Sequence, residues 1–489
     1  MKSVLIYAIF RTEAWWSHVG SQMGFERVTV LTDKRGRGDQ WVTDDFYAAH
    51  RTFKASRAED SNLLSSDEVR DIIARCRVLR WYPKAKATAM ILAMAQAMDQ
   101  ALERVSPDVI VSLPIDNYVK DTLERRARAR GIPYFELTVS ALPGMSMLLY
   151  RGRLITSDQA PDPEQVRARV AEIADPEFAP AYVQGARTYT GRKFYQVLGR
   201  FRIRGAFFKL YSWLKRDPLG IHFLDAQPDL GHKARLADAR IVNLVDHDWM
   251  KRIEAFPKAR RVLYGLQVFP EAAVDYWLDD LSLLQQETLL VELAQKLSDA
   301  GYQILVKDHP LQFGFRQTAL LETLRAIPNV VLVPYEVSGN AMLALCGVGV
   351  TATGTLGLQA ALLGNVSIAC QAYYVVDDDF LVIREWSDIA RIPEQLAHRQ
   401  PPEPLEARQS RIVSHLLRGS FDGQFMSLFG FDPAAPGDAT HMGRELGKRL
   451  RQMGPDGEDW HRRNLTDTGG AHSGSPLNAP QRPASADRV

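Results

Sequence analysis

The chain has 489 residues, enough for about three domains, and its composition, 46% hydrophobic and 24% charged, is that of a globular protein. Its 60 Lys and Arg against 58 Asp and Glu give a formal net charge of +2, which argues against a protein that coats nucleic acid. Three widely separated cysteines exclude a disulfide framework or a zinc ribbon and favour a reducing compartment: Cys76, Cys346 and Cys370.

Two stretches of the chain are apolar enough to suggest a signal peptide or a membrane span, but neither has the features of such a segment. The run at residues 4–10 is short for the core of a signal peptide, and no small-residue cleavage site follows it. Residues 337–376 carry no charge, but glycines and polar residues interrupt them too often for a span of about 20 apolar residues. We therefore predict buried strands and helices in both places, in a cytoplasmic protein.

The first part of the chain alternates strand and helix patterns and predicts a first lobe over residues 1–180. Short β-branched runs joined by helical segments are typical of a parallel sheet with crossover helices. The predicted strands are residues 4–10, 27–31, 108–113 and 132–138, and the predicted helices are residues 67–77, 85–105 and 117–130.

A second alternation predicts another lobe over residues 259–430. Its predicted strands are residues 262–267, 302–306, 330–333, 348–351 and 366–369, and its predicted helices are residues 281–300, 318–326, 341–345 and 356–363. The fold class is therefore α/β, with two Rossmann-like doubly wound lobes. Residues 431–489 are predicted to be a largely disordered tail, because the end of the chain is rich in Gly, Pro and Ser and poor in large apolar residues.

Between the lobes, residues 181–258 predict a helical connecting region. Residues 192–216 carry eight basic residues and no acidic one, with aromatic residues interleaved. One interpretation is a surface that docks on anionic lipid, here the inner membrane, or on an anionic polymer. The other is an interdomain helix whose aromatic side chains face a core while the Lys and Arg stems lie along the surface. The aromatic spacing favours the second.

Ligands of open α/β sheets bind beyond the carboxyl ends of the strands, and Lys307 and His309 directly follow a predicted strand there. Lysine supplies a positive charge, and histidine donates a hydrogen bond to a phosphate oxygen. The alternative is a surface loop with an incidental histidine.

The segment Thr353, Gly354, Thr355 lies between a predicted strand and a predicted helix. Glycine allows close approach of a ligand to the backbone, and the N-terminus of a helix attracts anions. The alternative is a helix N-capped by Thr353 or Thr355, and the two interpretations are compatible. The chain has no GxGxxG fingerprint and no P-loop, which weakens an ordinary dinucleotide or P-loop assignment.

Two carboxylates are candidate catalytic bases. Glu271 follows the strand at 262–267; the alternative is a carboxylate at a helix N-terminus, where the helix dipole favours a negative charge. Asp116 follows the strand at 108–113; the alternative is that it caps the next helix. No metal site is predicted, since neither Asp-His-Asp at 246–248 nor Asp-Asp-Asp at 377–379 has a matched His or Cys partner at ligand spacing.

Four segments of the second lobe resemble, in order and spacing, motifs of capsular polysaccharide biosynthesis proteins. Residues 266–275 (LQVFPEAAVD) are similar to Q-x-x-P-E-A-S-x-D, and residues 306–316 (VKDHPLQFGFR) to V-K-E-H-P…G-x-R. Residues 328–338 (PNVVLVPYEVS) resemble P-N-V…S, and residues 353–360 (TGTLGLQA) resemble T-G-T-x-G-L-E-A. The first lobe matches only loosely, at residues 116–118 and 130–133.

This resemblance implies a GT-B-like glycosyltransferase of capsular or surface polysaccharide biosynthesis, related to enzymes that transfer Kdo or similar acidic sugars from CMP-activated donors. It implies that His309 and Lys307 contact the donor phosphate and that Thr353, Gly354, Thr355 and Gln359 hold the nucleotide. Gln359 stands where the family has Glu, and Asp308 also stands where it has Glu. An amide still forms hydrogen bonds, but it both donates and accepts.

The expected partners are a nucleotide-sugar donor and a glycan or lipid-linked acceptor, with no separate cofactor and no nucleic acid. The protein would be cytoplasmic, or peripheral to the inner membrane through residues 192–216. His309 is counted with Glu271 and Asp116 as a catalytic candidate. The alternatives are a nucleotide-sugar epimerase or hydrolase of the same fold, or a non-catalytic scaffold for capsule assembly and export.

Overall fold

The computed structural model describes residues 1–9, 11–55, 62–175, 178, 189–215, 217–221, 234–268, 271–399 and 404–453. These residues form two α/β lobes, each built on a sheet of mainly parallel strands. The two predicted Rossmann-like doubly wound lobes are thereby confirmed. Residues 454–489, which fall in the predicted tail, lie outside the described residues.

The first lobe begins with a sheet whose strands appear in the order β6–β5–β4–β1–β2–β3, with β7 paired to β6. The five strands β1 to β5 run parallel to one another, and β6 is antiparallel to β5. The elements are β1 (Ser3–Ala8), α1 (Glu13–Gln22), β2 (Arg27–Thr32), β3 (Gln40–Trp41), α2 (Thr43–Ala55), α3 (Ser66–Arg75), α4 (Lys84–Val105), β4 (Val109–Ser112), α5 (Tyr118–Arg128), β5 (Tyr134–Val139), β6 (Met145–Tyr150), β7 (Arg153–Leu154) and α6 (Pro163–Ile173).

Strand β1 shows why this sheet is covered on both faces. All six of its residues are buried; Leu5 and Tyr7 join the core formed with α2 to α5, while Val4 and Ile6 join a second core on the opposite face. Successive side chains of a strand point to opposite faces, so a continuous apolar run needs helices on both sides.

Helices dominate the described residues between the two lobes. They are α7 (Gly191–Leu214), α8 (Ile241–Leu244) and α9 (Trp249–Ile253). None of the helices in the described parts of the chain is both long enough and apolar enough to cross a membrane.

The second lobe has an all-parallel six-stranded sheet in the order β10–β9–β8–β11–β12–β13. Its strands and helices are β8 (Arg261–Gly265), α10 (Ala272–Trp277), α11 (Gln286–Asp299), β9 (Gln303–Lys307), α12 (Thr318–Arg325), β10 (Val330–Val333), α13 (Gly339–Leu345), β11 (Val348–Val350), α14 (Thr355–Leu362), β12 (Val366–Ala369), β13 (Leu381–Val382) and α15 (Ile392–His398). The predicted strands and helices agree with observed ones to within about five residues, whereas α10, β13 and α15 were not predicted.

The chain then returns to the first lobe. The last elements of the described residues are α16 (Leu405–Gly419), β14 (Ser420–Asp422) and α17 (Asp438–Met453). Strand β14 pairs antiparallel with β6, and α17 packs against α1. The prediction of a largely disordered tail from residue 431 was therefore wrong for residues 438–453. Met442, Leu446 and Leu450 of α17 supply the apolar face that the composition of the whole tail conceals.

Candidate functional site

The strand order of the second sheet indicates where a ligand-binding crevice is expected. The order reverses between β8 and β11, and ligands of open parallel sheets bind beyond the carboxyl ends of the strands at such a point. The loop after β8 carries Gln267 and Glu271, and the loop after β11 carries Thr353. Strand β9, beside β8, delivers Lys307, Asp308 and His309 to the same edge.

Gln267 and Thr353 join the two loops at the reversal point. The Gln267 amide donates from Nε2 to Thr353 Oγ1, and its Oε1 accepts from the Thr353 backbone N–H at 2.9 Å. Both side chains are buried. Because both ends of the amide are used, the loops after β8 and β11 are held at a fixed separation.

Asp308 ties the third loop to the other two. Its Oδ1 accepts from Arg316 Nε and from the His309 backbone N–H, both at 2.8 Å, and its Oδ2 accepts from the hydroxyl of Tyr335. Arg316 also donates from Nη2 to the Gln267 carbonyl at 2.7 Å. A continuous set of buried hydrogen bonds therefore connects the ends of β8, β9 and β11. Asp308 makes these contacts although the resembling family has the longer Glu at this position.

Lys307 lies beneath this edge and is buried. Its ammonium donates to the carbonyl oxygens of Asp308 at 3.2 Å and Tyr335 at 3.1 Å. Burial lowers the pKa of Lys307 to about 8, against the opposing effect of the Asp308 carboxylate. The group is therefore still mainly charged at neutral pH. An ammonium has three protons, so two carbonyl contacts leave one donor for an anion.

His309 is half-buried, with its ring oriented by the backbone. Its Nδ1 accepts from the Leu311 N–H at 3.1 Å, which places the proton of the neutral ring on Nε2. Burial lowers the pKa of His309 below its usual value, so the neutral form prevails at pH 7. The Nε2–H group is then a hydrogen-bond donor for an acceptor oxygen.

Helix α14 begins directly at this edge. Its N-cap is Gly354, so the alternative in which Thr353 or Thr355 caps the helix was wrong. Gly354 has no side chain to accept from the first N–H groups, which such a helix end presents to an anion. The hydroxyl of Tyr374 fixes the turn by donating to the Gly354 carbonyl at 2.7 Å.

Gln359, one turn further along α14, contacts the polypeptide that connects the lobes. Its Nε2 donates to the carbonyl of Phe178 at 3.3 Å, and Asn340 Nδ2 donates to the same oxygen at 2.7 Å. An ionised carboxylate at position 359 could not donate to that carbonyl. The amide is therefore matched to a contact within this chain.

Glu271 lies four residues beyond Gln267, at the start of α10. It is the N-cap residue of the short helix α10, but its side chain does not cap the helix, and its Oε2 is shielded from solvent with no hydrogen-bond partner. Burial raises the pKa of Glu271 to about 7, although the Gln267 amide and the Arg77 guanidinium both favour the charged form. A carboxyl that titrates near neutral pH can accept and release a proton.

Asp116 lies at the end of β4 in the first lobe and is held by its neighbours. Its Oδ1 is 2.9 Å from Lys120 Nζ and accepts from Asn117 Nδ2 at 2.6 Å. The alternative role as a helix cap was wrong, because Asn117 caps α5 by accepting from the N–H groups of Val119 and Lys120. Within the described residues, no hydrogen bond or ion pair connects Asp116 to the second lobe.

Three arginines of the first lobe contact α10, and the sequence analysis did not single them out. Arg80 Nη1 is 3.2 Å from Asp275 Oδ1, and Arg77 Nε is 3.8 Å from Asp275 Oδ2. Arg75 donates to the backbone carbonyls of Asp275 and Leu278 at 3.0 and 2.7 Å. These contacts bring the first lobe to within one helical turn of Glu271. Only their spacing, Arg-Cys-Arg-Val-Leu-Arg, hints at a cluster.

The structure thus brings Lys307, His309, Thr353 and Gly354 to one edge of the second sheet, with Glu271 beside them and Asp116 in the other lobe. In the described part of the chain, no group of three or more His, Cys, Asp or Glu side chains could hold a metal ion.

Comparisons with known proteins give distant similarities only. No family model matches the chain, and no curated protein matches it by sequence. Among solved structures it is similar to a KpsC β-Kdo 2,4-transferase from Thermosulfurimonas dismutans, at 13% identity and a TM-score of 0.37 over 69% of this chain and 87% of that one. A UDP-GlcNAc 2-epimerase from Neisseria meningitidis has 12% identity and a TM-score of 0.21 over 85% of this chain and 100% of that one. Similarities this distant do not bear on the activity.

Proposed function

We propose that this protein is a glycosyltransferase that transfers a sugar from a nucleotide-activated donor to the hydroxyl group of a glycan or lipid-linked acceptor in surface polysaccharide assembly. The observation that carries the proposal is the set of buried hydrogen bonds from Asp308 through Arg316 and Gln267 to Thr353. It fixes three strand ends around an open helix N-terminus. The family-like motifs fall on these same strand ends and favour a CMP-linked acidic sugar.

The donor phosphate would lie between the N-terminus of α14 and the side chains of Lys307 and His309. As the bond from the anomeric carbon to the phosphate oxygen breaks, negative charge develops on the phosphate. The Lys307 ammonium, the Nε2–H of His309 and the first N–H groups of α14 are fixed donors that would stabilise this charge. The nucleoside would extend over α14 toward Gln359.

Glu271 is the preferred base for the acceptor. As the acceptor oxygen forms its bond to the anomeric carbon, its proton would pass to the Glu271 carboxylate, and a pKa of about 7 suits this role. Asp116 is the second candidate, but its Oδ1 already contacts Lys120 Nζ and accepts from Asn117 Nδ2. The proposal therefore assigns Asp116 to orienting the first-lobe side of the cleft.

Calorimetry with CMP and UDP tests the donor site. We expect His309→Ala to weaken binding of the preferred nucleotide by about tenfold or more, since a hydrogen bond to a charged group contributes about 1.5–3 kcal/mol. His247→Ala is the matched control, because His247 is exposed and precedes α9, outside the crevice. Equal affinity of wild type and His309→Ala would reject the donor-site assignment.

A donor screen with CMP-, UDP- and GDP-linked sugars, run with and without glycan acceptors, separates the reaction classes. A transferase forms a glycosidic product only when acceptor is present. Epimerised nucleotide sugar or free sugar formed without acceptor would identify the epimerase or hydrolase alternative instead. Nucleotide binding without any turnover would favour the non-catalytic scaffold. The Glu271→Gln variant should bind nucleotide like the wild type and lose transfer.

A further inference from the structure

The second half of α7 is exposed on the surface although it is rich in apolar residues. No residue from Arg202 to Lys215 is buried. Five large apolar side chains in this stretch are between 56% and 73% exposed. Trp213 is one of them, and the other four are Ile203, Phe207, Leu210 and Leu214. We call these four residues the α7 stripe. The interpretation that the aromatic and apolar residues of 192–216 face a core is therefore wrong for this half of the helix.

The α7 stripe is continuous. Its members are spaced i, i+4, i+7 and i+11, so they line one side of the helix along its last three turns. At 3.6 residues per turn, Arg204 and Lys215 lie to one side of the stripe, and Arg202 and Lys209 lie to the other. All four basic residues are exposed.

The helix is anchored at both ends, so the stripe is held in place rather than free to fold back. Phe194 is buried and packs edge-on against Phe313 of the second lobe. Beyond the helix, the buried carboxylate of Asp217 accepts from the Tyr47 hydroxyl of the first lobe. The exposed half lies between these two anchors.

The basic residues on both sides of the α7 stripe indicate what kind of partner would bind it. Residues 192–216 include eight basic and no acidic side chains. A second copy of the chain, paired through the same face, would bring equal basic rows together and would be repelled. An anionic bilayer complements both features, because apolar side chains enter the boundary of the acyl chains while Lys and Arg contact the headgroups.

We propose that the α7 stripe docks the protein on the surface of an anionic membrane, with the helix lying in the plane of the interface. This goes beyond the proposed transfer reaction and does not depend on it. The arrangement also has a geometric consequence. Phe194 packs against the loop that follows His309, and Ile203 is nine residues further along the helix, about 14 Å away. A docked α7 would therefore hold the phosphate end of the crevice near the lipid surface.

Vesicle co-sedimentation with the full chain tests the proposal. We expect binding to vesicles of phosphatidylcholine with one third phosphatidylglycerol, and little binding to pure phosphatidylcholine. The double variant Phe207→Ser/Leu210→Ser should bind at least about tenfold more weakly, since it removes two apolar insertions. The double variant Arg204→Gln/Lys209→Gln should lose about tenfold or more and much of the salt dependence.

The matched control is Phe429→Ser, which removes an equally exposed aromatic side chain outside α7 and should bind like the wild type. Because all substituted residues are exposed, every variant should fold and should melt at a temperature close to that of the wild type. Equal binding to neutral and anionic vesicles, or equal binding by wild type and both double variants, would overturn the proposal. So would a concentration-dependent dimer that Phe207→Ser/Leu210→Ser abolishes. Nucleotide affinity, measured in parallel, should be unchanged by these variants.

Discussion

Arg316 and Asp308 form an ion pair at 2.8 Å with both side chains almost entirely buried. The pair holds the loop after β9 in place, and the second arm of the guanidinium holds the loop after β8 through the Gln267 carbonyl. A buried charge left without its partner is costly, whereas the complete pair is well satisfied by hydrogen bonds. The pair is therefore expected to be important for both the stability and the shape of the crevice.

The first prediction concerns this pair. Arg316→Met should lower the free energy of unfolding by about 3–5 kcal/mol, because it leaves the Asp308 carboxylate buried without its cation. Arg384→Met is the control: it breaks the 2.6 Å pair with Asp377, in which both side chains are exposed, and should change stability by about 1 kcal/mol or less. Urea unfolding of both variants measures the difference, and similar losses would contradict the assignment.

Lys307 predicts a pH dependence of nucleotide binding. Its pKa is lowered to about 8 by burial, so the ammonium loses its proton as the pH rises from 7 to 9. Affinity for CMP or UDP should fall over this range in the wild type, and Lys307→Met should bind weakly with no such fall. Lys251→Met, an exposed lysine on α9, should keep the wild-type profile. Calorimetry between pH 7 and 9 measures these affinities. A fall in the nucleotide affinity of Lys307→Met over this range would refute the role of Lys307.

Glu271 predicts a pH dependence of stability that needs no substrate. A carboxyl whose folded-state pKa is raised to about 7 favours folding only while it is protonated, and this contribution is lost as the pH rises from about 4.5 to 7. Glu271→Gln keeps a neutral side chain at every pH. The variant should therefore melt at a higher temperature than wild type at pH 8, and the difference should shrink toward pH 5. Glu287→Gln, an exposed carboxylate on α11, should show no such trend; a pH-independent difference for Glu271→Gln would contradict the buried, titrating carboxyl.

Most second-lobe elements could be predicted closely, because their strands are short and largely apolar and glycines follow α11 and α14. Helices α10 and α15 and strand β13 were not predicted. The rule that ligands bind at strand ends also predicted that Lys307 and Thr353 share an edge of the sheet. The contact between Gln359 and the Phe178 carbonyl could not be predicted, since no pattern relates segments so far apart in sequence. The same holds for Arg80 and Asp275, whose pairing depends on how the lobes approach each other.

The approach of the two lobes gives a further prediction. Asp275 is buried between Arg77 and Arg80, whereas the exposed Asp279 pairs at 2.8 Å with the half-buried Arg153 of the first lobe. Asp275→Asn should weaken the contact between the lobes strongly, because two guanidinium groups lose their counter-charge. Asp279→Asn should have little effect. Limited proteolysis and small-angle scattering should show a more open particle for Asp275→Asn only. If both variants gave the same result, apolar packing rather than Asp275 would hold the lobes together.

The last prediction concerns the close packing of α17 on α1 and compares Gly447 of α17 with Gly199 of α7. A Cβ at Gly447 of α17 would collide with the backbone of Met23 at the end of α1, whereas a Cβ at Gly199 of α7 would meet no atom within 4 Å. Alanine is the better helix former by about 1 kcal/mol, so Gly199→Ala should raise the melting temperature slightly. Gly447→Ala should lower it, because the backbones of α17 and α1 would have to separate and the apolar face of α17 would lose contact with the first lobe. A rise for Gly447→Ala in thermal unfolding would show that α17 does not depend on this close packing.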